Sequence, residues 1–217
     1  WFEHALPQAD NSWRQISLSQ LINFFRHPAR YLLRERLGMR LEMTDDQLDI
    51  REPFELDGLQ AWSLRQQVLT SRLKPDLNTN MLDLVQATGV LPQGLLGEQI
   101  FDVQVEKVDS FAEKLLPQYP TELLAAIPFE LKLNEFVVTG QLGDTSQLYQ
   151  GGLFHYRMAK TKGQDLLSMW IMHLVLNAVK PKGIARESIL ITEDNDYQFS
   201  PVEDARAVLQ ELTQLYW

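Results

Sequence analysis

Residues 129–142 read FELKLNEFVVTGQL, and this stretch decides the fold class that we predict for the chain. Apolar and polar residues alternate in residues 129–133, and β-branched and aromatic residues are frequent in residues 136–142, as in paired, half-buried strands. Asn134 and Glu135 separate the two runs and are predicted to form the turn. The periodicity changes from helical to extended at this point, so we predict a hairpin that opens an α/β core.

The residues after the hairpin complete this core. We predict a strand over residues 151–158, a buried helix over Gly163–Val179 and a further strand over Ser188–Thr192. A last helix is predicted over residues 201–215, with Pro201 in its first turn. The order of hairpin, strand, helix, strand and helix predicts a mixed sheet flanked by helices, with Trp170 packed on the sheet.

The residues before the hairpin have helical periodicity. Ser17 precedes apolar residues at helical spacing and is predicted to begin a helix, which Pro28 ends before a second helix starts. Further helices are predicted from Asp57 to near Pro75, over residues 81–88, and through residues 101–115 after a Gly/Pro-rich stretch at residues 89–97. The first half of the chain is therefore predicted to be helical.

The composition excludes several kinds of site. The chain has no cysteine, which excludes disulfides, thiolate zinc sites, iron–sulfur ligation and a cysteine nucleophile. Its four histidines, at positions 4, 27, 155 and 173, lack the short helical spacing that places two imidazoles on one metal. The longest apolar run, residues 166–179, is shorter than the roughly 20 residues needed to cross a bilayer. With no signal-peptide pattern at the N-terminus, these observations predict a cytoplasmic protein without a membrane segment.

The charge is unevenly distributed. A net charge of −9 disfavours a free-standing nucleic-acid binder, because nonspecific affinity for DNA comes from neutralising phosphates. Residues 14–40 nevertheless contain six arginines and one acid, Glu35, whereas residues 42–57 contain seven acids and one arginine. This contrast indicates either a basic face on an acidic protein or solvated helix faces of opposite sign.

Two stretches resemble a known family. Residues 16–38, ISLSQLINFFRHPARYLLRERLG, closely resemble the entry segment of the nuclease-fold domains in the RecB, AddB and RecC group, and FFRHPARY at residues 24–31 is similar to the RecC members. Residues 153–157, LFHYR, and the helix through residues 170–174, WIMHL, resemble the motif strand and the following helix of that fold. The first stretch is the more specific of the two. The resemblance implies a degenerate PD-(D/E)XK nuclease-like core preceded by a helical region.

The same resemblance bears on catalysis. Active members hold Mg²⁺ with carboxylates on adjacent strands that read roughly Gly-x-Ile-Asp and Asp-Tyr-Lys, and the lysine helps to position the attacking water. The matching residues here are 140–143, GQLG, and 155–157, HYR. Gly143 and His155 stand where the carboxylates would be, and Arg157 keeps a positive charge but cannot act as a base. These vestigial motif positions imply that the domain has no catalytic residue, metal or other cofactor of its own.

The resemblance to the RecC members implies a role and partners. Such a chain is one C-terminal domain of the gamma subunit of exodeoxyribonuclease V, a DNA-repair and recombination complex whose RecB-like and RecD-like subunits use Mg²⁺ and ATP. It contacts those subunits, holds DNA at the fork and guides the separated strands. We expect residues 1–127 to form a helical region that wraps a nuclease-like core of residues 128–217. The candidate DNA-binding residues are the cations that flank the predicted buried helix: Arg157, Lys160, Lys162, Lys180, Lys182 and Arg186.

Other interpretations remain open. If the strand register differs, Asp144, Glu130 and Glu98 are candidate ligands of an active, magnesium-dependent nuclease. A third hypothesis is a protein-interaction module without a DNA role. For partner docking, the candidate residues are the aromatic side chains of the helical first half: Phe24, Phe25, Tyr31 and Trp62. His27, where AddB-type iron–sulfur members carry a cysteine, is predicted to be a helix-junction residue.

Overall fold

The computed structural model describes residues 9–39, 56–73, 81–92 and 94–217. The chain divides into two compact units, residues 1–41 with 120–217 and residues 42–119. The boundary expected after residue 127 falls inside the first unit. The acidic run at residues 42–57 lies outside the described residues, apart from residues 56 and 57.

The entry segment of the first unit begins with a 3-10 turn, Asn11–Arg14, and a short strand, β1 (Gln15–Ser17). Helices α1 (Leu18–Arg26) and α2 (Pro28–Tyr31) follow and lead into a π-helical turn, Leu32–Arg36. Ser17 caps α1 reciprocally with Gln20: its Oγ accepts the Gln20 N–H at 3.2 Å, and Gln20 Oε1 accepts the Ser17 N–H at 2.8 Å. The helix starts predicted at Ser17 and Pro28 are therefore confirmed.

The strands of this unit form two mixed sheets. The first contains β1, β2 (Ile127–Leu133) and β3 (Phe136–Leu142) in the order β1-β3-β2. The second contains β4 (Gln147–Tyr149), β5 (Gly152–Arg157), β6 (Ser188–Thr192) and β7 (Asp196–Phe199) in that order. The mixed α/β fold class is confirmed, although the strands are distributed over two sheets and β1, β4 and β7 were not predicted.

Strand β1 explains why the entry segment belongs to the first unit. It pairs in parallel with β3, with Ile16 opposite Val138 in the register. Helix α1 packs closely against β3 because Gly140 has no side chain. A Cβ at Gly140 would lie 3.0 Å from Leu18 Cβ. A pairing between residues more than 100 positions apart therefore joins the N-terminal helices to the core.

Helix α6 (Gly163–Val179) lies at the centre of this unit. It packs against α1 and α7 (Ala205–Tyr216) and contacts β2 and β3 of one sheet and β5 and β6 of the other. Met169 and every residue of α6 from position 171 to 177 are buried, as predicted for this helix. Trp170 is partly buried and stacks on His173 with 5.7 Å between ring centroids.

Helix α7 starts later than predicted. The sequence predicts a start at Pro201, but the helix begins at Ala205. Two bonds to α6 hold the preceding residues in a non-helical conformation: His173 Nε2 donates to the Ser200 carbonyl at 2.9 Å, and Val202 N–H donates to Asn177 Oδ1 at 3.0 Å. These tertiary bonds outweigh the local preference of proline for a first helical turn.

The second unit is helical among its described residues. It contains α3 (Gly58–Leu73), α4 (Met81–Ala87), α5 (Leu95–Leu115) and a 3-10 turn, Leu116–Gln118. Arg72 Nε and Asp109 Oδ1, 2.7 Å apart, join α3 to α5. Helix α5 begins at Leu95, within the predicted Gly/Pro-rich loop, because Gly94 is the residue with positive φ that precedes it. In the described ranges of the whole chain, no helix is long and apolar enough to span a membrane.

Candidate functional site

Gly143 follows the last residue of β3 and turns the chain away from the sheet. Its φ is +95°, in the region that favours glycine. A Cβ at this position would lie 3.0 Å from Leu148 Cβ and 3.5 Å from Ala126 Cα. The position that matches the first motif carboxylate is therefore a backbone turn with little room for a side chain.

His155 and Arg157 lie on β5, two residues apart, and so share one face of the strand. The parallel register places His155 opposite Leu190 and Arg157 opposite Thr192 of β6. Burial lowers the pKa of His155, and this effect outweighs the hydrogen bond to the backbone of Thr145 and the nearby charge of Asp165, which act in the opposite direction. Position 155 therefore holds a neutral imidazole at neutral pH, whereas the family resemblance implies a carboxylate at this position in an active nuclease.

Arg157 forms an ion pair with Asp165 in the first turn of α6. The Asp165 side chain is only 10% exposed, and its Oδ2 also accepts the Lys162 N–H at 3.1 Å. Asp165 was not among the residues predicted for the site, although an acid in the first turn of a predicted helix is a recognisable signal. The cation at the motif-lysine position is thus already neutralised within the protein.

The alternative metal ligands lie on different elements. Asp144 is exposed beside the Gly143 turn, and Glu130 is exposed on β2, 4.0 Å from Lys132. Glu98 belongs to α5 of the other unit. Among the described residues, no group of three or more histidine, aspartate or glutamate side chains is arranged to hold a metal ion.

The six candidate DNA-binding cations flank α6 at its two ends. Lys160 and Lys162 precede the helix, and Lys180, Lys182 and Arg186 follow it. A helix of 17 residues is about 25 Å long, so the two groups are separate. Arg157 and Arg186 pair with acids, the latter with Glu203 at 2.8 Å.

The loop that carries Lys160 and Lys162 is held in place by Asp194. Thr161 donates its N–H and its hydroxyl to Asp194 Oδ1, both at 2.8 Å, and Thr192 donates its hydroxyl at 3.0 Å. These bonds lower the pKa of Asp194 to about 2, so it is ionised at neutral pH. Two of the candidate cations are therefore presented by an ordered loop.

The aromatic candidates for docking divide into two groups. Phe24, Phe25 and Tyr31 are partly buried against the core, and the Tyr31 hydroxyl lies 2.8 Å from that of Tyr216. Trp62 on α3 is 47% exposed. The first three are thus engaged in internal packing, and Trp62 alone of the four is exposed.

His27 has a local structural role. Its backbone adopts a non-helical conformation between α1 and α2, and its Nδ1 accepts the Arg30 N–H at 3.0 Å. Such a bond satisfies one of the free donors at a helix start. The prediction of a helix-junction residue is confirmed.

Comparison with known proteins identifies the family of the chain. The family model for the RecC C-terminal domain matches residues 13–217. The chain is 26% identical over 201 residues to the RecBCD enzyme subunit RecC of Escherichia coli strain K12, covering 92% of this chain and 17% of that protein. It is 23% identical over 220 residues to the RecC subunit of Haemophilus influenzae, covering 96% of this chain and 19% of that protein. It is also 23% identical over 198 residues to the RecC subunit of Buchnera aphidicola from Acyrthosiphon pisum, covering 91% of this chain and 18% of that protein. The chain thus spans less than a fifth of the length of these relatives. It belongs to the RecC C-terminal domain family.

Proposed function

We propose that this chain is a noncatalytic domain of a RecC-type subunit, which docks RecB-like and RecD-like subunits and guides DNA strands within the assembled helicase–nuclease. One observation carries the noncatalytic part. The three motif positions hold a turn glycine, a neutral histidine and an arginine paired with Asp165. None of these groups offers a free carboxylate to Mg²⁺.

The nuclease alternative predicts a different response to metal. The purified chain is incubated with linear DNA and Mg²⁺ or Mn²⁺, and both metal binding and DNA cleavage are followed. We expect neither saturable binding nor cleavage. Metal-dependent degradation that survives repurification and is abolished by Asp144→Asn would contradict the proposal and identify Asp144 as a displaced ligand.

The docking part is supported by apolar surface on α3. Leu59 and Trp62 are 73% and 47% exposed and lie three residues apart, on neighbouring positions of the helix surface. Tryptophan is enriched among the residues that anchor protein interfaces, and a contiguous exposed apolar patch marks an interaction site. Their partner in the proposal is a RecB-like or RecD-like subunit, because the relatives are named as subunits of a RecBCD enzyme.

A charge substitution tests this surface. Leu59→Glu with Trp62→Glu should weaken copurification with the RecB-like and RecD-like subunits, because two carboxylates would have to be desolvated at the interface. The matched control is Gln67→Glu with Thr70→Glu, which adds the same charge at exposed polar positions of α3. If both double variants assemble as well as the wild type, α3 is not a docking surface.

The strand-guiding part is supported by the cations at the two ends of α6. Lys160, Lys162, Lys180 and Lys182 form no ion pair among the described residues. Affinity for DNA that falls steeply with salt would support this role, because phosphate contacts release counterions. Salt-insensitive binding to partner subunits without DNA binding would favour the interaction module instead.

A further inference from the structure

A cleft of about 530 Å³ in the first unit was not anticipated from the sequence. It runs along α1, across the His27 junction and along the residues that follow, and it reaches the first turn of α6 at Gln164. Its lining includes Arg26, Arg30 and Arg34. The cleft therefore collects half of the arginines in the basic run at residues 14–40.

The cleft is positively charged. Its one carboxylate, Glu35, lies 3.6 Å from Arg34 Nε and offsets that arginine. Arg26 and Arg30 are exposed, and neither forms an ion pair within the part of the chain that the structure describes. Guanidinium groups remain charged at every physiological pH. In a chain with a net charge of −9, this concave site thus holds two cations that have no ion-pair partner among the described residues.

The remaining lining identifies the ligand class. Gln20, Asn23 and Gln164 contribute amides that donate hydrogen bonds, and Tyr31 is the one aromatic residue among the lining residues. The Tyr31 hydroxyl is engaged with that of Tyr216, and its ring packs against the rings of Phe24 and Tyr216. The cleft therefore lacks an apolar anchor for a docked peptide. Arginine and amide side chains are the usual contacts of nucleic-acid phosphates.

We propose that this cleft binds the phosphodiester backbone of a DNA strand, with Arg26 and Arg30 as the phosphate contacts. The inference rests on the proposed strand-guiding role and extends it to a site distinct from the six cations around α6. Because the proposed contacts go to phosphates, the binding is independent of sequence.

The position of the cleft agrees with this ligand. Gln164 is adjacent to Asp165, which pairs with Arg157 on the motif strand. A DNA strand that lies in the cleft would therefore approach the face of β5 that carries His155 and Arg157. Arg26 ends α1, and Arg30 lies on α2 beyond the His27 junction, so the two guanidinium groups come from consecutive elements along the cleft and can contact separate phosphates.

The test uses the 217-residue chain and a short fluorescent oligonucleotide, single-stranded or duplex, at several salt concentrations. We expect Arg26→Gln with Arg30→Gln to weaken binding of the preferred form several-fold. For a single strand, the slope of log affinity against log salt should fall by about 1.4, since each lost phosphate contact contributes about 0.7. The matched control, Lys132→Gln with Arg206→Gln, removes the same charge from exposed positions elsewhere in the first unit and should bind as the wild type does.

Further variants separate the outcomes. Asn23→Asp leaves both arginines in place but adds a negative charge to the cleft, so it should also weaken binding if the arginine variant folds poorly. Wild-type protein that binds no oligonucleotide, or cleft variants that bind as tightly as the wild type, would overturn the inference. Tighter binding of poly-glutamate than of DNA, lost with the same variants, would assign the cleft to an acidic protein segment. Loss of binding only with Lys180→Gln and Lys182→Gln would refute the cleft and leave the strand-guiding proposal intact.

Discussion

Restoring a side chain at Gly143 should destabilise the protein without restoring nuclease activity. The backbone of Gly143 has a φ of +95°, and a non-glycine residue in such a region costs about 1–3 kcal/mol. The new Cβ would also lie 3.0 Å from Leu148 Cβ, and Leu148 is fully buried on β4 with no room to withdraw. Overpacking of this kind costs about 1–3 kcal/mol, so the expected total is about 2–6 kcal/mol.

Urea unfolding of three variants measures this cost. Both terms arise from the Cβ, so Gly143→Ala and Gly143→Asp should lose similar free energies of unfolding with little change in the denaturant slope. The neighbouring Asp144→Ala is the control, because Asp144 is exposed and its change should stay within about 0.5 kcal/mol. Wild-type stability of Gly143→Ala would show that the turn does not require glycine.

An activity measurement completes this test. Gly143→Asp with His155→Asp and Arg157→Lys introduces the residues that the family resemblance implies for an active nuclease, and we expect no metal-dependent cleavage from this triple variant. Asp165 would then face a second buried carboxylate near position 155, which disfavours ionisation of both. Cleavage by this triple variant would refute the argument that the surroundings of the motif have lost the geometry for Mg²⁺.

Three further predictions concern the groups around α6. Burial lowers the pKa of His155 and His173, so below about pH 6.5 the unfolded chain binds more protons than the folded chain. The free energy of unfolding should therefore be highest above about pH 6.5. It should fall below that pH by at most about 1.4 kcal/mol per pH unit for each histidine. Chemical denaturation between about pH 7.5 and about pH 5 checks this, and a flat profile would contradict it. Asn177→Ala should lower the free energy of unfolding by about 1–3 kcal/mol, because it leaves the backbone N–H of Val202 without its acceptor. Thermal melts measure the difference from the control Gln210→Ala, whose side chain donates to the exposed Asn134. Asp165→Ala should destabilise the protein more than Asp165→Asn. Asparagine still accepts the Lys162 N–H at the start of α6, whereas alanine loses both that bond and the ion pair with Arg157. Equal losses of unfolding free energy in the two variants would mean that the cap contributes nothing.

Local signals in the sequence were sufficient for the elements that depend on neighbouring residues. The Ser17 cap, the Pro28 start and the bounds of α6 and β6 follow from capping chemistry and periodicity, and the structure has them where they were predicted. The hairpin turn at Asn134 is of the same kind, because asparagine tolerates the positive φ of 54° found there. In each case the residues that determine the structure lie within a few positions of it.

The candidate site was predicted less completely. The motif positions Gly143, His155 and Arg157 could be read from a family resemblance, but the partner of Arg157 could not. Asp165 is eight residues away, and only the packing of α6 beside β5 brings the two charges together. The basic cleft likewise required the turn at His27 and the approach of α6 before its arginines formed a concave surface.

The sequence by itself determined the class of fold, the order of the hairpin, β5, α6, β6 and α7, and the absence of carboxylates at positions 143, 155 and 157, because these depend on residue type and local periodicity. Only the tertiary structure decided that the strands form two sheets, that β1 joins β3, and that α7 begins after Asp204. Those features depend on hydrogen bonds between distant residues, such as that from Val202 N–H to Asn177. Such bonds form only when the core has brought the two segments together, and a buried polar group that must be satisfied then outweighs the local preference of the chain.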